Sequence, residues 1–323
     1  MANSMLSLLD ITKQNGTDMA VGLVEEIRTF APEVEVLMGR PINGTSYHSR
    51  VRTSLPTGPA FRQANAGSDT VSSKYDIRLN ECFYLDGQMQ IDEAVAESSE
   101  LGQDVILAQE ALGVFKQKAI ALGAQLYYGT SQDASGFPGF TSLWDTAMTI
   151  SVQSATASTS SAWLVVNSLD GVHLIYGKNS GLNVRQWTRQ QVLAGNSKPM
   201  FAWVNNLSGW VGLSFNYSKS LCRISGLSDG AATGLTDKMV AKALSLFPVG
   251  TVPTHLFMNR TQRYMLQQSR APVYAAATLS NSNVTSNLPL QFPAMPVESN
   301  GIPIYVTDSI TNTETSPTIT ANV

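Results

Sequence analysis

Residues 93–127 read EAVAESSELGQDVILAQEALGVFKQKAIALGAQLY and carry the strongest helical pattern of the sequence. Asp92 and the acidic first turns suit the positive end of a helix dipole, and 35 residues would form a helix roughly 50 Å long. Three glycines interrupt this pattern: Gly102, Gly113 and Gly123. Each lowers the stability of the helix by about 1 kcal/mol relative to alanine, so their presence predicts close packing or a bend. Apolar residues recur at steps of four and three, which places them on one stripe: Leu101, Val105, Ala108, Leu112, Phe115, Ala119, Leu122 and Leu126.

A long hairpin is predicted just before this helix. Residues 47–53 and 75–91 alternate like strands, and LPTGPAFRQANAGSDTVSSK (55–74), which joins them, is rich in Gly, Pro, Ser and Ala. Two strands with so long a connection bury too little apolar area to be stable alone in water. The hairpin therefore needs a partner surface.

Charge is distributed unevenly between the hairpin and the helix. Residues 40–78 carry six bases against Asp69 and Asp76: Arg40, Arg50, Arg52, Arg62, Lys74 and Arg78. Residues 79–115 contain no base but eight acids: Glu81, Asp86, Asp92, Glu93, Glu97, Glu100, Asp104 and Glu110. A solvated helix face, or a charge partner for the basic hairpin, explains these acids better than a catalytic or cation-binding cluster.

Two placements of the basic hairpin are open. It could fold back on the acidic helix start of its own chain, or it could reach a neighbouring copy, and its length favours the neighbour. In a closed ring each copy would then give its hairpin to one neighbour and receive another, which is a heterologous contact. The residues predicted to make this inter-subunit contact are Arg40, Arg50, Arg52, Arg62, Lys74, Arg78, Glu93, Glu97, Glu100 and Asp104.

The other elements mix helices and strands without a βαβ rhythm, which predicts the α+β class. Residues 4–30 resemble an amphipathic helix, and 34–38 a short strand. The region 149–161 is rich in Ser and Thr. Further strands are predicted at 163–176, at 200–215 with a turn at 205–209, and at 221–224, 255–258 and 302–306, with helices at 237–247 after Thr236 and from Asn259 to about 270.

Composition excludes several classes of protein. Charged residues make up 14% of the 323 residues, against roughly 25% in ordinary soluble domains, so subunit contacts are expected to cover much uncharged surface. A net charge of -3 argues against a dedicated nucleic-acid binder. Cys82 and Cys222 are predicted to be buried, reduced thiols. The sequence has neither a run of about 18 apolar residues nor a signal-peptide pattern, so synthesis and retention in a cytoplasm are expected.

One motif resembles a catalytic site. Gly226 to Gly230 match G-x-S-x-G with Ser228 as the nucleophile, and His255 is the only downstream histidine. The motif needs a helix directly after it and a histidine within hydrogen-bond reach, but AATG intervenes and His255 lies in an apolar run. No paired-cysteine, H-E-x-x-H, EF-hand or phosphate-loop spacing occurs, so no metal and no cofactor is predicted.

Four segments carry a family resemblance: GTSQDASGFPGF (129–140), NNLSGWVGLSF (205–215), GLTDKMVAKALSLFPVGTVPTHLFMNRTQRYMLQQSR (234–270) and GIPIYVTDSITNTE (301–314). With the order of elements, they resemble tailed-bacteriophage major capsid proteins of the Hong Kong 97-type fold, and most closely those of short-tailed phages of the Bordetella phage type. The resemblance implies an amino-terminal arm (1–38), an E-loop (39–92), a peripheral domain with the spine helix (93–139), an axial domain (140–250) and a return to the peripheral domain (251–323).

The resemblance also implies the function and the partners. The chain would assemble into pentamers and hexamers of an icosahedral head enclosing double-stranded DNA, in the virion, after assembly in the host bacterial cytoplasm. A separate scaffolding protein, a portal, a decoration protein and non-specific packaged DNA are the implied partners. Some relatives cross-link their E-loops through a Lys-Asn isopeptide bond, but Lys74 is the only lysine of this E-loop and no acid is identifiable as its catalyst, so non-covalent locking is expected. The rival hypotheses are a serine hydrolase using Ser228 and His255, and a monomeric binding module.

Overall fold

The computed structural model describes most of the chain. The described residues are 6–7, 9–11, 29, 31–56, 61–65, 67, 70–153, 156–179, 181–194, 197–279 and 293–317, without the side chains of 271–279. The helix predicted at 4–30 lies mostly outside these residues.

Six α-helices are described: α1 (Glu33–Val36), α2 (Glu93–Glu97), α3 (Gln103–Tyr128), α4 (Phe140–Leu143), α5 (Asp237–Ser245) and α6 (Arg260–Leu279). The single helix predicted at 93–127 is wrong in one respect, because Gly102 has φ +94° and ψ 151° and divides it into α2 and α3. The 26 residues of α3 measure about 39 Å. The strand predicted at 34–38 is also wrong, since α1 follows Pro32 there.

Side chains cap three helix starts, and the caps predicted at Thr236 and Asn259 are confirmed. The side chain of Asp92 accepts a hydrogen bond from the Ala94 backbone at α2, Thr236 accepts one from Met239 at α5, and Asn259 accepts one from Gln262 at α6. These side chains satisfy backbone N–H groups that a helix start otherwise leaves without partners.

Fourteen strands are described: β1 (Gly39–Pro41), β2 (Ser46–Ser54), β3 (Lys74–Glu81), β4 (Phe83–Asp92), β5 (Thr149–Ser151), β6 (Ser160–Val165), β7 (Val172–Tyr176), β8 (Asn183–Val184), β9 (Thr188–Leu193), β10 (Pro199–Phe215), β11 (Leu221–Leu227), β12 (His255–Met258), β13 (Glu298–Ser299) and β14 (Ile302–Val306). Together with the helices they confirm the α+β class.

The first sheet is built around β10. Its path is β1-β7-β10-β4, and β8 and β9 also pair with β10. The turn predicted at 205–209 is wrong: these residues continue the strand and face Met89 to Leu85 of β4 in unbroken antiparallel register.

The second sheet has the order β13-β14-β12-β6-β11-β5. Each sheet takes strands from separate parts of the chain. β7 to β10 join β4, while β12 and β14 join β6 and β11.

One apolar core connects both sheets to the C-terminal half of α3. Tyr127 of α3 packs edge-on against Phe140 at 5.5 Å, and Phe140 packs against Trp163 of β6 at 5.5 Å. Leu174 and Val211 of the first sheet belong to the same cluster. A second core lies between the second sheet, α5 and α6, and includes Leu256, Val240 and Leu266.

The C-terminal segment is fixed to this core by a buried ion pair. The Glu314 carboxylate lies 2.9 Å from the Arg223 guanidinium and also accepts hydrogen bonds from Ser161 and from Tyr128. The guanidinium lies over the Trp163 ring at 5.0 Å. These contacts tie the C-terminal segment to β6, β11 and the end of α3.

Candidate assembly surface

Polar side chains from distant parts of the sequence hold the root of the hairpin formed by β2 and β3. Tyr47 shares a 2.6 Å hydrogen bond with Ser214 of β10. Asn80 is buried, its amide donates to Asn216 at 3.0 Å, and its carbonyl oxygen accepts from the Phe215 backbone at 3.2 Å. The root is therefore attached to the C-terminal end of β10.

Beyond its root, the hairpin presents one exposed face. Residues opposite each other in an antiparallel pair share a face, and Arg50 faces Ile77 while Arg52 faces Tyr75. Tyr75, Ile77 and Leu79 are 57%, 67% and 51% exposed. The "hairpin face" defined here consists of His48, Arg50, Arg52, Tyr75, Ile77 and Leu79, and it combines bases with uncovered apolar groups.

The predicted acids lie at the other end of the first sheet. Glu93 and Glu97 are in α2, Glu100 is in the turn at Gly102, and Asp104 is in the first turn of α3. Beside them, several apolar side chains of α3 are exposed, contrary to the buried stripe that the sequence predicts. The "acidic helix surface" defined here consists of Glu97, Glu100, Leu101, Asp104, Val105, Leu112 and Phe115, all of which are exposed.

The two halves of α3 bury different faces, and this explains the exposure. Ile106 and Leu107 bury the N-terminal half of α3 against Ile91, while Leu122 and Leu126 bury the C-terminal half. The buried face therefore shifts along the helix, and the predicted stripe is covered only from Leu122 onwards.

Within one chain, the hairpin and the acids are far apart. β3 leads through Cys82 into the ten residues of β4, which span about 33 Å, and α2 begins only after them. Glu93 instead pairs with Arg189 of β9 at 2.6 Å.

The predicted bases are not all on the hairpin face. Arg50 and Arg52 lie on it, and Lys74 begins β3 at its distal end. Arg78 points to the opposite face, over the Phe215 ring at 6.0 Å, and Arg40 lies on β1 over the Tyr47 ring at 5.1 Å. Arg62 lies in the exposed connection between the two strands.

The root network gives a first prediction. Replacing Asn80 by leucine keeps the size of the side chain but removes the acceptor for the Phe215 N–H and the donor to the Asn216 side-chain oxygen, which is expected to cost about 1–3 kcal/mol. Denaturant unfolding of the unassembled subunit measures this cost. Asp76→Asn, an exposed change on the same strand, is the control and should stay within about 0.5 kcal/mol of the wild type. An equal loss in both variants would contradict a special role of the root.

The rival serine hydrolase site is wrong. His255 faces Val165, which faces Leu221 at the start of β11, whereas Ser228 follows the far end of that strand. Seven residues of strand separate the two levels by about 20 Å. Ser228 hydrogen-bonds Thr233, and His255 stacks on Phe257 at 5.9 Å.

Other kinds of site find no support within the described part of the chain. No group of three or more His, Cys, Asp or Glu side chains there could hold a metal ion, and none of its helices has the length and apolarity needed to cross a membrane. Cys82 and Cys222 are free and buried, and burial raises the pKa of the Cys82 thiol to about 11 and that of Cys222 to about 12.

The sequence profile of the family described as Major capsid protein GP7 matches residues 35–317. The chain belongs to this family of major capsid proteins. This family and this fold are those of structural proteins, not of enzymes. The prediction of a coat protein that forms the icosahedral phage head is therefore confirmed.

This capsid protein has the Hong Kong 97-type fold, and one solved phage structure matches it over nearly its whole length. A chain of the near-atomic structure of bacteriophage Epsilon15 superposes with a TM-score of 0.73 and 19% identity, over 99% of both chains. A Mycobacterium phage Cain chain gives a TM-score of 0.46 and 10% identity, over 66% of this chain and 93% of its own. A comparison with curated proteins finds no match.

Proposed function

We propose that this capsid protein forms pentamers and hexamers in which the hairpin face of each copy binds the acidic helix surface of the next. The observation that carries the proposal is the exposure of the hairpin face, whose three apolar side chains stay more than half exposed on their own chain, Tyr75 with only the Arg52 guanidinium over its ring. A surface of this kind marks an interaction site. A second copy is the occupant that the charges favour.

The two surfaces match in composition and oppose each other in charge. Arg50 and Arg52 lie beside the apolar groups of the hairpin face, and the exposed Asp104 is next to the exposed Val105 in the first turn of α3. Exposed ion pairs contribute only about 0–1 kcal/mol each, so they set the register while the apolar groups supply affinity. Root and acids lie at opposite ends of the first sheet, which suits a head-to-tail contact that closes into a ring.

The proposal extends to the segment roles and the partners that the family resemblance implies. The arm (1–38), the E-loop (39–92), the peripheral domain (93–139), the axial domain (140–250) and the return (251–323) describe the roles of these segments in the shell. Packaged DNA would meet the inner face without sequence specificity. A separate scaffolding protein and a portal would act during assembly in the host cytoplasm, and a decoration protein would bind the finished shell. We also propose that this protein is related to the coat proteins of short-tailed phages of the Bordetella phage type.

Chemical cross-linking tests the proposed contact. Lys74 is the only lysine in residues 39–92, so a zero-length reagent that couples amines to carboxylates reports directly on its acidic neighbours. Shells assembled from a mixture of ¹⁵N-labelled and unlabelled copies should give mixed-isotope peptides that join Lys74 to Glu97, Glu100 or Asp104.

The control for this experiment is Lys74→Arg, which keeps the charge but removes the reactive amine. These peptides should disappear in that variant. Cross-links found only within one copy, or only to acids outside residues 93–104, would refute the proposed contact.

A further inference from the structure

A buried carboxyl group occupies the point where three parts of the chain meet. Glu33, the first residue of α1, has 0% exposure, and neither of its carboxylate oxygens has a hydrogen-bond partner. It lies close against α3 at Gly123. If this glycine carried a Cβ atom, that atom would be only 3.1 Å from the Glu33 Oε2 and 2.5 Å from the Ser309 Oγ. Glu33 therefore joins the end of the amino-terminal arm to α3 and to the segment after β14.

The groups around Glu33 are hydroxyls. The Tyr127 and Ser309 hydroxyls are also buried without a hydrogen-bond partner, and Thr307 lies nearby. A hydroxyl can donate or accept a hydrogen bond, as can a protonated carboxylic acid. An ionised carboxylate in the same place has no base to offset the cost of burying its charge.

The charged and titratable groups nearby do not supply that base. α1 adds Glu35, which is exposed, and α3 adds Tyr127 and Tyr128. The segment after β14 adds Asp308, which pairs with Arg260 at 2.6 Å, and Glu314, which is already paired with Arg223. The described residues thus surround Glu33 with neutral or acidic groups only.

We propose that Glu33 is a proton-operated clamp, which as a neutral acid holds residues 31–38 against α3 and the C-terminal segment and on losing its proton loosens them. Burial is the main cause that raises the pKa of Glu33 above its ordinary value of 4.5. It outweighs the nearby Thr307 and Tyr127 hydroxyls, which lower the pKa although their geometry to the carboxylate falls short of a full hydrogen bond. The folded chain therefore keeps a proton that the unfolded chain loses first. The stabilisation that the protonated Glu33 gives to the folded chain is fully present below pH 4.5 and decreases as the pH rises above that value.

Hydrogen exchange of the backbone amides in residues 31–38 tests the clamp. After correction for intrinsic exchange, opening in the wild type should increase about tenfold per pH unit between the ordinary pKa and the raised one. Glu33→Gln, which cannot ionise, should open independently of pH. Glu35→Gln, a change of the same kind on the exposed side of α1, should behave like the wild type.

Glu33→Met provides a second variant in case glutamine folds poorly at this position, because it fills the space without a charge. Its opening should also be independent of pH. A wild type whose opening does not respond to pH, or neutral variants that keep the wild-type response, would overturn the proposal.

Discussion

Replacing Arg50 and Arg52 together by glutamate is expected to abolish shell formation while the subunit stays folded. Both side chains lie on the exposed hairpin face and neither is buried in its own chain. Reversal turns attraction to the acidic helix surface into repulsion, a change of roughly 2–4 kcal/mol at each contact. Every copy gives one contact and receives another, so the loss is repeated around each ring. Negative-stain microscopy should show no closed particles, and circular dichroism should be unchanged.

A matched control and a rescue make this test specific. Lys238 and Lys242 are exposed on α5, and their replacement by glutamate changes the net charge equally but should leave assembly intact. Adding Glu97→Arg and Asp104→Arg to the reversed hairpin restores opposite charges and should restore particles. Normal shells from the Arg50 and Arg52 variant would refute the charge pairing, and so would a rescue that fails although the subunit is folded.

Glu314→Ala is expected to cause the largest loss of subunit stability. The substitution leaves the Arg223 guanidinium buried beneath the C-terminal segment without its carboxylate, and breaking a buried pair in this way costs about 3–5 kcal/mol. It also removes the acceptor for Ser161 and Tyr128. Denaturant unfolding of the unassembled subunit measures the loss.

Two comparisons separate burial from charge in this prediction. Replacing Arg223 and Glu314 together by methionine removes both charges and is expected to be close to neutral. Asp308→Ala breaks the pair with Arg260, whose side chain is 66% exposed, and should cost at most about 1 kcal/mol. A Glu314→Ala loss no larger than that of Asp308→Ala would show that the buried pair adds little.

Local patterns in the sequence were sufficient to predict the hairpin, the caps and most of the strands. Alternation in residues 47–53 and the turn-rich connection after them depend only on neighbouring residues, and the structure confirms the hairpin. The sequence predicts a bend or close packing at Gly102, Gly113 and Gly123 alike, and only the backbone angles show that the helix breaks at Gly102.

Long-range pairing decided what the sequence could not show. Asn205 to Gly209 have the composition of a turn, but a full ladder of partners on β4 keeps them extended. Likewise, the root of the hairpin joins Tyr47 and Asn80 to Ser214 and to Phe215, residues more than 130 positions away. The charges that define the candidate contact were visible in the sequence, whereas the exposure of the apolar groups beside them required the fold.

The uninterrupted length of β10 has a mechanical consequence. Its 17 residues form a rod of about 55 Å that carries Ser214 at the hairpin root near one end and Trp203 beside the Ile106 cluster near the other. In a ring where each hairpin grips the next copy, tension would enter a subunit at one end of this rod and leave at the other through hydrogen-bonded backbone. Such a ring would act as a hoop and resist pressure from tightly packed contents along its stiffest direction.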